Sequence, residues 1–150
     1  MTTLSIGHFT ALDVSIEEYL TIAADNGCQQ ASLLVNSPNP QLSLPLVTND
    51  NLKAVQSTLK DTGLEVLNIE CFMLTPKTDV TTFRPILEIG AALQASGATA
   101  LIYDNDETRV KENLKQLCLM TQEFSLRINI EFMPLTPRWK TLEETADLIQ

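Results

Sequence analysis

Five polar residues fall at the ends of apolar stretches along this chain, at positions where a side chain can do chemistry. They are His8 after Leu4–Gly7, Asn36 after Ala31–Val35, Glu70 within Leu64–Cys71, Asp104 after Ala98–Tyr103, and Glu131 within Leu126–Phe132. A charged group embedded in an apolar strand is costly unless it is paired, ligated to a metal or turned toward a wet cavity. Glu70 and Glu131 have similar surroundings, Leu-Asn-Ile-Glu-Cys-Phe and Ile-Asn-Ile-Glu-Phe-Met-Pro. Two carboxylates brought to one site can take a proton from carbon and return it elsewhere. Each residue also has a structural reading. Glu70 and Glu131 could be strand-end acids paired with Arg or Lys. Asp104, in Tyr-Asp-Asn-Asp-Glu, could be a helix-start acid. Asn36 before Ser-Pro-Asn-Pro reads as turn chemistry, and His8 could lie on a surface loop. Trp139 is either a lid or simple cover.

The elements that must position these groups alternate. Ser15 with Glu18 forms a capping box, and Ile16, Tyr19, Leu20 and Ala23 make one helical stripe that stops at Asn26-Gly27. Thr48 or Asn49 is expected to cap a second helix bearing Leu52, Val55 and Leu59 and ending at Thr62-Gly63. A third begins near Asp79–Thr82, tolerates Pro85 in its first turn, and is expected to end at Ser96-Gly97. Val110, Leu114, Leu117, Cys118 and Thr121 mark a fourth, and Thr141 with Glu144 opens a fifth in which the sequence stops, as if cut. Gly27, Gly63 and Gly97 recur about every 35 residues, the length of a strand–helix crossover unit. Five such units predict parallel strands, either curling as part of a barrel or laid out as a doubly wound sheet. The longer loops follow the strands, so the elaborated face is at the strands' C-terminal ends.

Composition narrows the function classes. The 150 residues form one domain, with 44% hydrophobic and 19% charged residues. The net charge of −9 repels phosphate backbones and anionic membranes, so neither nucleic acid nor membrane is an expected partner. No apolar run approaches the roughly 20 residues of a membrane span, and the N-terminus has no basic, then apolar, leader, which points to the cytoplasm. Cys28, Cys71 and Cys118 are far apart and odd in number, the pattern of buried free thiols. There is no GxGxxG, GxxxxGK[ST], HExxH or GxSxG motif, and His8 is the single histidine.

The stretch Ile130-Glu131-Phe132-Met133-Pro134, followed by Thr141-Leu142 and a helix, resembles the fifth strand and fifth helix of the xylose isomerase-like TIM barrels. Gly63-Leu64-Glu65-Val66 leading to Glu70, and Gly97-Ala98 leading to an apolar strand, are similar to that family's third and fourth strands. The family holds sugar phosphate isomerases and epimerases, ketose 3-epimerases, dehydratases and abasic-site endonucleases. The resemblance implies a partial (βα)8 barrel of about five units, the N-terminal portion, and metal-assisted proton transfer beside the carbonyl of a sugar or polyol in the complete barrel. It implies that Glu131 is a ligand of a divalent ion (Mn, Mg, Co or Zn) and, with Glu70, a catalytic carboxylate. His8, Asn36 and Asp104 are then expected to contact substrate. The remaining ligands, an Asp, a His and a Glu, would come from strands six to eight, so these 150 residues alone are expected to bind metal weakly and not to turn over sugars. The alternative is a non-catalytic fragment that binds or oligomerises. The abasic-site endonucleases carry histidines where this chain has Asn36 and Glu70-Cys71, which argues against DNA repair. Open strand edges and an apolar barrel interior predict a homo-oligomer.

Overall fold

The computed structural model describes residues 3–39 and 41–150. Five strands alternate with five helices: β1 (Ser5–Ile6), α1 (Ile16–Asp25), β2 (Gln30–Leu34), α2 (Leu52–Thr62), β3 (Glu65–Leu74), α3 (Arg84–Ala92), β4 (Gly97–Ile102), α4 (Glu107–Gln122), β5 (Arg127–Glu131) and α5 (Leu142–Leu148). All neighbouring strands pair in parallel, and their order in the sheet is their order in the chain. A doubly wound sheet would reverse order across its first strand. The barrel alternative is the one observed.

One apolar core joins the sheet to the helices. Tyr19, Leu20, Val55, Leu87, Val110 and Leu117 project from the helices onto Ala31, Leu33, Ile69, Phe72, Ala98 and Ala100 of the strands. β4 is buried along its whole length at the centre of this packing. Tyr19 ties α1 to the sheet a second way, its hydroxyl donating to the carbonyls of Ile6 at 2.9 Å and Ser32 at 3.1 Å.

Several local expectations need correction. The second helix starts at Leu52, not at Thr48 or Asn49, because the Asn51 side chain is used otherwise. Its Oδ1 accepts the Thr48 N–H at 2.8 Å and its Nδ2 donates to the Leu46 carbonyl at 2.9 Å, which holds the loop in a turn. The third helix ends at Ala92, and the left-handed residue after it is Gln94, φ 55°. Gly97 belongs to β4. Gly27 and Gly63 do take left-handed conformations, φ 82° and 72°, just past α1 and α2. One half of each capping box forms, the Glu18 and Glu144 amides donating to Ser15 Oγ and Thr141 Oγ1, while the Glu144 carboxylate accepts the Lys140 N–H instead. The three cysteines are free, but Cys71 is buried, Cys28 half-buried and Cys118 exposed.

The side of the sheet facing away from the helices is only in part the apolar surface expected of a barrel interior. The residues that turn to that side include Asn68, Glu70, Thr99, Asn129 and Glu131. β5 shows the division clearly: Arg127, Asn129 and Glu131 are exposed while Ile128 and Ile130 pack on the core. Nearer the strands' C-terminal ends the same side carries a second apolar cluster of Leu34, Cys71 and Leu101, with Met73, Tyr103 and Met133 packed against it. Among the described residues no helix is long and apolar enough to cross a membrane.

Candidate functional site

Glu131 is the last residue of β5, whereas β3 runs on past the expected end at Cys71 to Leu74, so Glu70 lies within it, level with Leu34 at the end of β2, and the two acids share one cleft. Both line a cleft of about 430 Å³ with Asn68, Thr99 and Asn129. Both also line an adjoining, more apolar cavity of about 340 Å³ with Phe9, Pro38, Cys71, Leu101 and Met133. Neither carboxylate has a salt-bridge partner among the described residues. The two are separated by β4, whose inward residues at this level, Thr99 and Leu101, leave the space between them open. Glu131 is in register with Leu101, and Glu70 with Leu34 of β2.

β3 bulges at this point. Ile69 pairs with Ala98 and Phe72 with Ala100, so β3 uses one more residue than β4 over the same length. A bulge breaks the strict alternation of faces. As a result the consecutive residues Glu70 and Cys71 both reach the cavity. The peptide bond between them is cis.

Burial pushes the Glu70 carboxyl above its ordinary range, the negative charge of Glu131 pushes it further, and a hydrogen bond from Ser32 partly opposes them. Burial together with the charges of Glu70 and Glu131 raises the Cys71 thiol to about 12. Cys71 is therefore a neutral wall of the cavity rather than a nucleophile.

The other three expected site residues have structural duties. His8 has no exposed surface. It lies in the turn His8–Thr10, stacks on Tyr19 with ring centroids 4.6 Å apart, and accepts the Leu34 N–H at Nδ1 over 3.0 Å. Its Nε2 has no hydrogen-bond partner among the described residues, and burial lowers its pKa to about 4. His8 thus lies behind the cleft, in contact with α1, and lines neither cavity. Asn36 is half-buried, its Nδ2 donating to the Cys71 carbonyl at 3.0 Å and its N–H to the Glu70 carbonyl at 3.1 Å. It fixes the end of β2 to the bulge of β3. Asp104 is only 2% exposed. Arg109 grips it from α4 with Nε on Oδ2 at 2.5 Å and Nη2 on Oδ1 at 2.7 Å, while Oδ1 also accepts the Asp106 N–H at 3.0 Å. The Arg109 hydrogen bonds hold its carboxyl below the usual carboxylate range. Trp139 is cover rather than lid: it is buried, with the Arg138 guanidinium over its ring at 4.5 Å.

Sequence reasoning passed over Asn68, Thr99 and Asn129, which line the same cleft as the two glutamates. Period-two alternation through Glu70 and Glu131 marks Asn68 and Asn129 as sharing their faces, a signal that was present in the paired Asn-Ile-Glu triplets. A depression of about 590 Å³ lies at the opposite end of the strands between α2 and α3, beside Gln56, Lys60, Glu65 and Ser96. In barrels that end serves stability, and there Gln56 bridges α2 to the Ala92 carbonyl at 2.8 Å.

A divalent ion needs about four or more ligands converging in fixed geometry. Among the described residues no three His, Cys, Asp or Glu side chains converge in that way. Glu70 and Glu131 supply two carboxylates, Asp104 is committed to Arg109, and His8 Nδ1 to a backbone amide. The residues present do not complete a metal site.

No family model and no curated protein matches the sequence. Solved structures do match in fold. A xylose isomerase domain-containing protein from Salmonella typhimurium superposes with a TM-score of 0.72 at 17% identity, over 89% of this chain and 52% of its own. The chain has the fold of part of a xylose isomerase-like TIM barrel. A D-tagatose 3-epimerase-like protein matches with a TM-score of 0.73 at 11% identity, over 99% of this chain and 60% of its own. The IolI protein, solved with a bound zinc atom, matches with a TM-score of 0.74 at 13% identity, over 99% and 58%. The chain therefore spans a little over half the length of these structures.

Proposed function

We propose that the cleft between β3 and β5 is the carboxylate half of a sugar or polyol isomerase or epimerase site, completed by residues beyond those described. The observation that carries this reading is the pairing of two acids without cation partners, Glu70 and Glu131, lining one cleft. The reaction removes a proton from the carbon beside a carbonyl and returns one to a different face or a different carbon. Glu131, on the open side, accepts the carbon-bound proton. Glu70, whose acid form is favoured by burial and by its neighbour's charge, delivers a proton to the carbonyl oxygen. The product of that step is a neutral enediol. Glu131 then returns its proton to the former carbonyl carbon while Glu70 takes the proton from the hydroxyl on the carbon that lost its hydrogen, which leaves the carbonyl moved by one carbon and both acids as they began. The reading for the complete barrel includes a divalent ion with Glu131 as one ligand, and its support is the zinc in a fold relative.

A second reading has an observation of its own. With no third ligating group converging on the glutamates, these 150 residues act as a sugar-binding module without turnover. Two measurements on this chain test both. Amide shifts on titration with fructose are expected around Glu70 in β3 and Glu131 in β5 and are expected to vanish in Glu131→Gln. Shifts elsewhere, or none, contradict the site. Solvent deuterium exchange into the ketose, with Mg²⁺ or Zn²⁺ present, then separates the readings. Exchange that disappears in Glu131→Gln marks catalysis by this chain, whereas binding without exchange marks the module.

A further inference from the structure

The inward positions of a TIM barrel are ordinarily filled by Val, Ile and Leu. Here one inward position on each of four successive strands holds a neutral polar side chain. Ser32 of β2 is in register with Asn68 of β3, and Thr99 of β4 is in register with Asn129 of β5. Three of them, Asn68, Thr99 and Asn129, line the cleft beside Glu70 and Glu131.

The two asparagines meet across β4, with Asn129 Nδ2 donating to Asn68 Oδ1 at 2.6 Å. That bond passes over Gly97. A Cβ at Gly97 would stand 2.6 Å from Asn129 Nδ2 and 2.8 Å from Asn68 Oδ1, so the bridge exists because this position has no side chain. An amide carries two donors and an acceptor with two lone pairs. After the bridge forms, Asn68 keeps its Nδ2 donors and Asn129 keeps its Oδ1, and neither bonds to another described residue. Turning both amides leaves the same inventory. The Thr99 hydroxyl, on a residue that is 7% exposed, also has no described partner. The floor of the cleft thus offers both donors and acceptors without charge, the complement of neighbouring hydroxyl groups, each of which donates and accepts.

The charge of the described residues around the cleft disfavours another ligand class. No Lys or Arg lines either cavity at this end. Arg109 is held by Asp104 and Asp106, and Arg138 by Glu107. Lys77, on the exposed turn after β3, Lys140, in the loop after β5, and Arg127, two residues before Asn129 on the same face of β5, line neither cavity. A phosphate or carboxylate entering would face Glu70 and Glu131 with no cation lining either cavity, and like charges brought together cost affinity.

We infer that Asn68, Thr99 and Asn129 form a hydroxyl-binding floor that orients an uncharged polyol or sugar beneath the Glu70–Glu131 pair and turns away its phosphate ester. The inference rests on the reading of this cleft as a sugar site and adds to it a subsite and a substrate class. The test titrates this chain with fructose and with fructose 6-phosphate, followed by amide shifts, and repeats both on Thr99→Val and Asn129→Ala, whose folding is checked by circular dichroism. Fructose is expected to bind at least about tenfold more tightly than its ester, and each variant to weaken fructose about fivefold, the worth of one hydrogen bond. An ester that binds as well as fructose overturns the inference while leaving the sugar site standing, and so do variants that bind fructose unchanged. Binding of neither compound by the unaltered chain defeats the sugar site and this inference with it.

Discussion

Three acids stand on neighbouring strands, Glu70 within β3, Asp104 just after β4 and Glu131 at the end of β5, and they have different fates. Asp104, after β4, is almost fully buried, yet every nearby donor is turned on it: two nitrogens of Arg109 and the Asp106 amide. Glu70 and Glu131, on the strands either side, have no cation and face one cleft. The comparison shows that strand-end position alone does not make a site. What distinguishes the pair is unspent hydrogen-bonding capacity together with a neighbour of like charge. Asp104 is pushed toward its ionised form and Glu70 toward its protonated form, by opposite surroundings.

The largest effect is expected at Arg109. Arg109→Ala removes two charge-assisted hydrogen bonds from Asp104 and opens to water the carboxylate that the half-exposed guanidinium covers, which is destabilising. Thermal denaturation should show a large drop in Tm that shrinks as pH falls and Asp104 becomes neutral. Glu131→Gln, by contrast, should leave Tm nearly unchanged, because no cation depends on it. Equal drops in the two variants would erase the distinction.

The next effect belongs to His8. It is neutral in the fold, with a pKa lowered from 6.5 to about 4. Between those values the unfolded chain binds a proton that the folded chain does not, so stability is lost as pH falls through this window. A shift of that size corresponds to about 3 kcal/mol, as an order of magnitude. Urea melts at pH 7 and pH 4.5 measure it, and a variant with His8→Phe should flatten the difference.

A smaller effect is expected at Gly97. Gly97→Ala forces a Cβ into the Asn68–Asn129 bridge, and overpacking of this kind costs about 2 kcal/mol. A chemical denaturation midpoint unchanged from the parent would mean the amides part freely. The smallest effect has the opposite sign. A carboxyl whose pKa is raised in the fold contributes stability that is lost as pH rises from its unfolded value through its folded one. Glu70→Gln removes that penalty and should raise Tm at pH 7 while leaving it unchanged at pH 3.5.

Much of the architecture was legible because it rests on local rules. Helical stripes, capping boxes and the glycines at 27 and 63 located the repeating unit, and long strand-to-helix loops identified the working end. The acids were legible as acids out of place. Their partners were not. Nothing in the spacing of Asp104 and Arg109 distinguishes a buried ion pair from an exposed helix-start pair, since the difference is made by how α4 docks. Asn36 and His8 were read as substrate contacts because their type and position allow it, but the structure engages each with the backbone of another strand, a long-range bond that no local pattern encodes. The bulge that turns both Glu70 and Cys71 to the cavity is likewise invisible in a period-two reading. The asparagine bridge depends on Gly97, whose periodic spacing suggested a helix stop when its use is a close approach.

The central claim is that Glu70 and Glu131 act on each other across one cleft, and the titration of Glu70 tests it most directly. Carboxyl carbon chemical shifts followed against pH give that titration in the parent and in Glu131→Gln. The expected result is a Glu70 midpoint above the ordinary value of 4.5 in the parent, moving back toward it when Glu131 loses its charge. A Glu70 that titrates in the ordinary range, or one that ignores the loss of Glu131, would contradict the account.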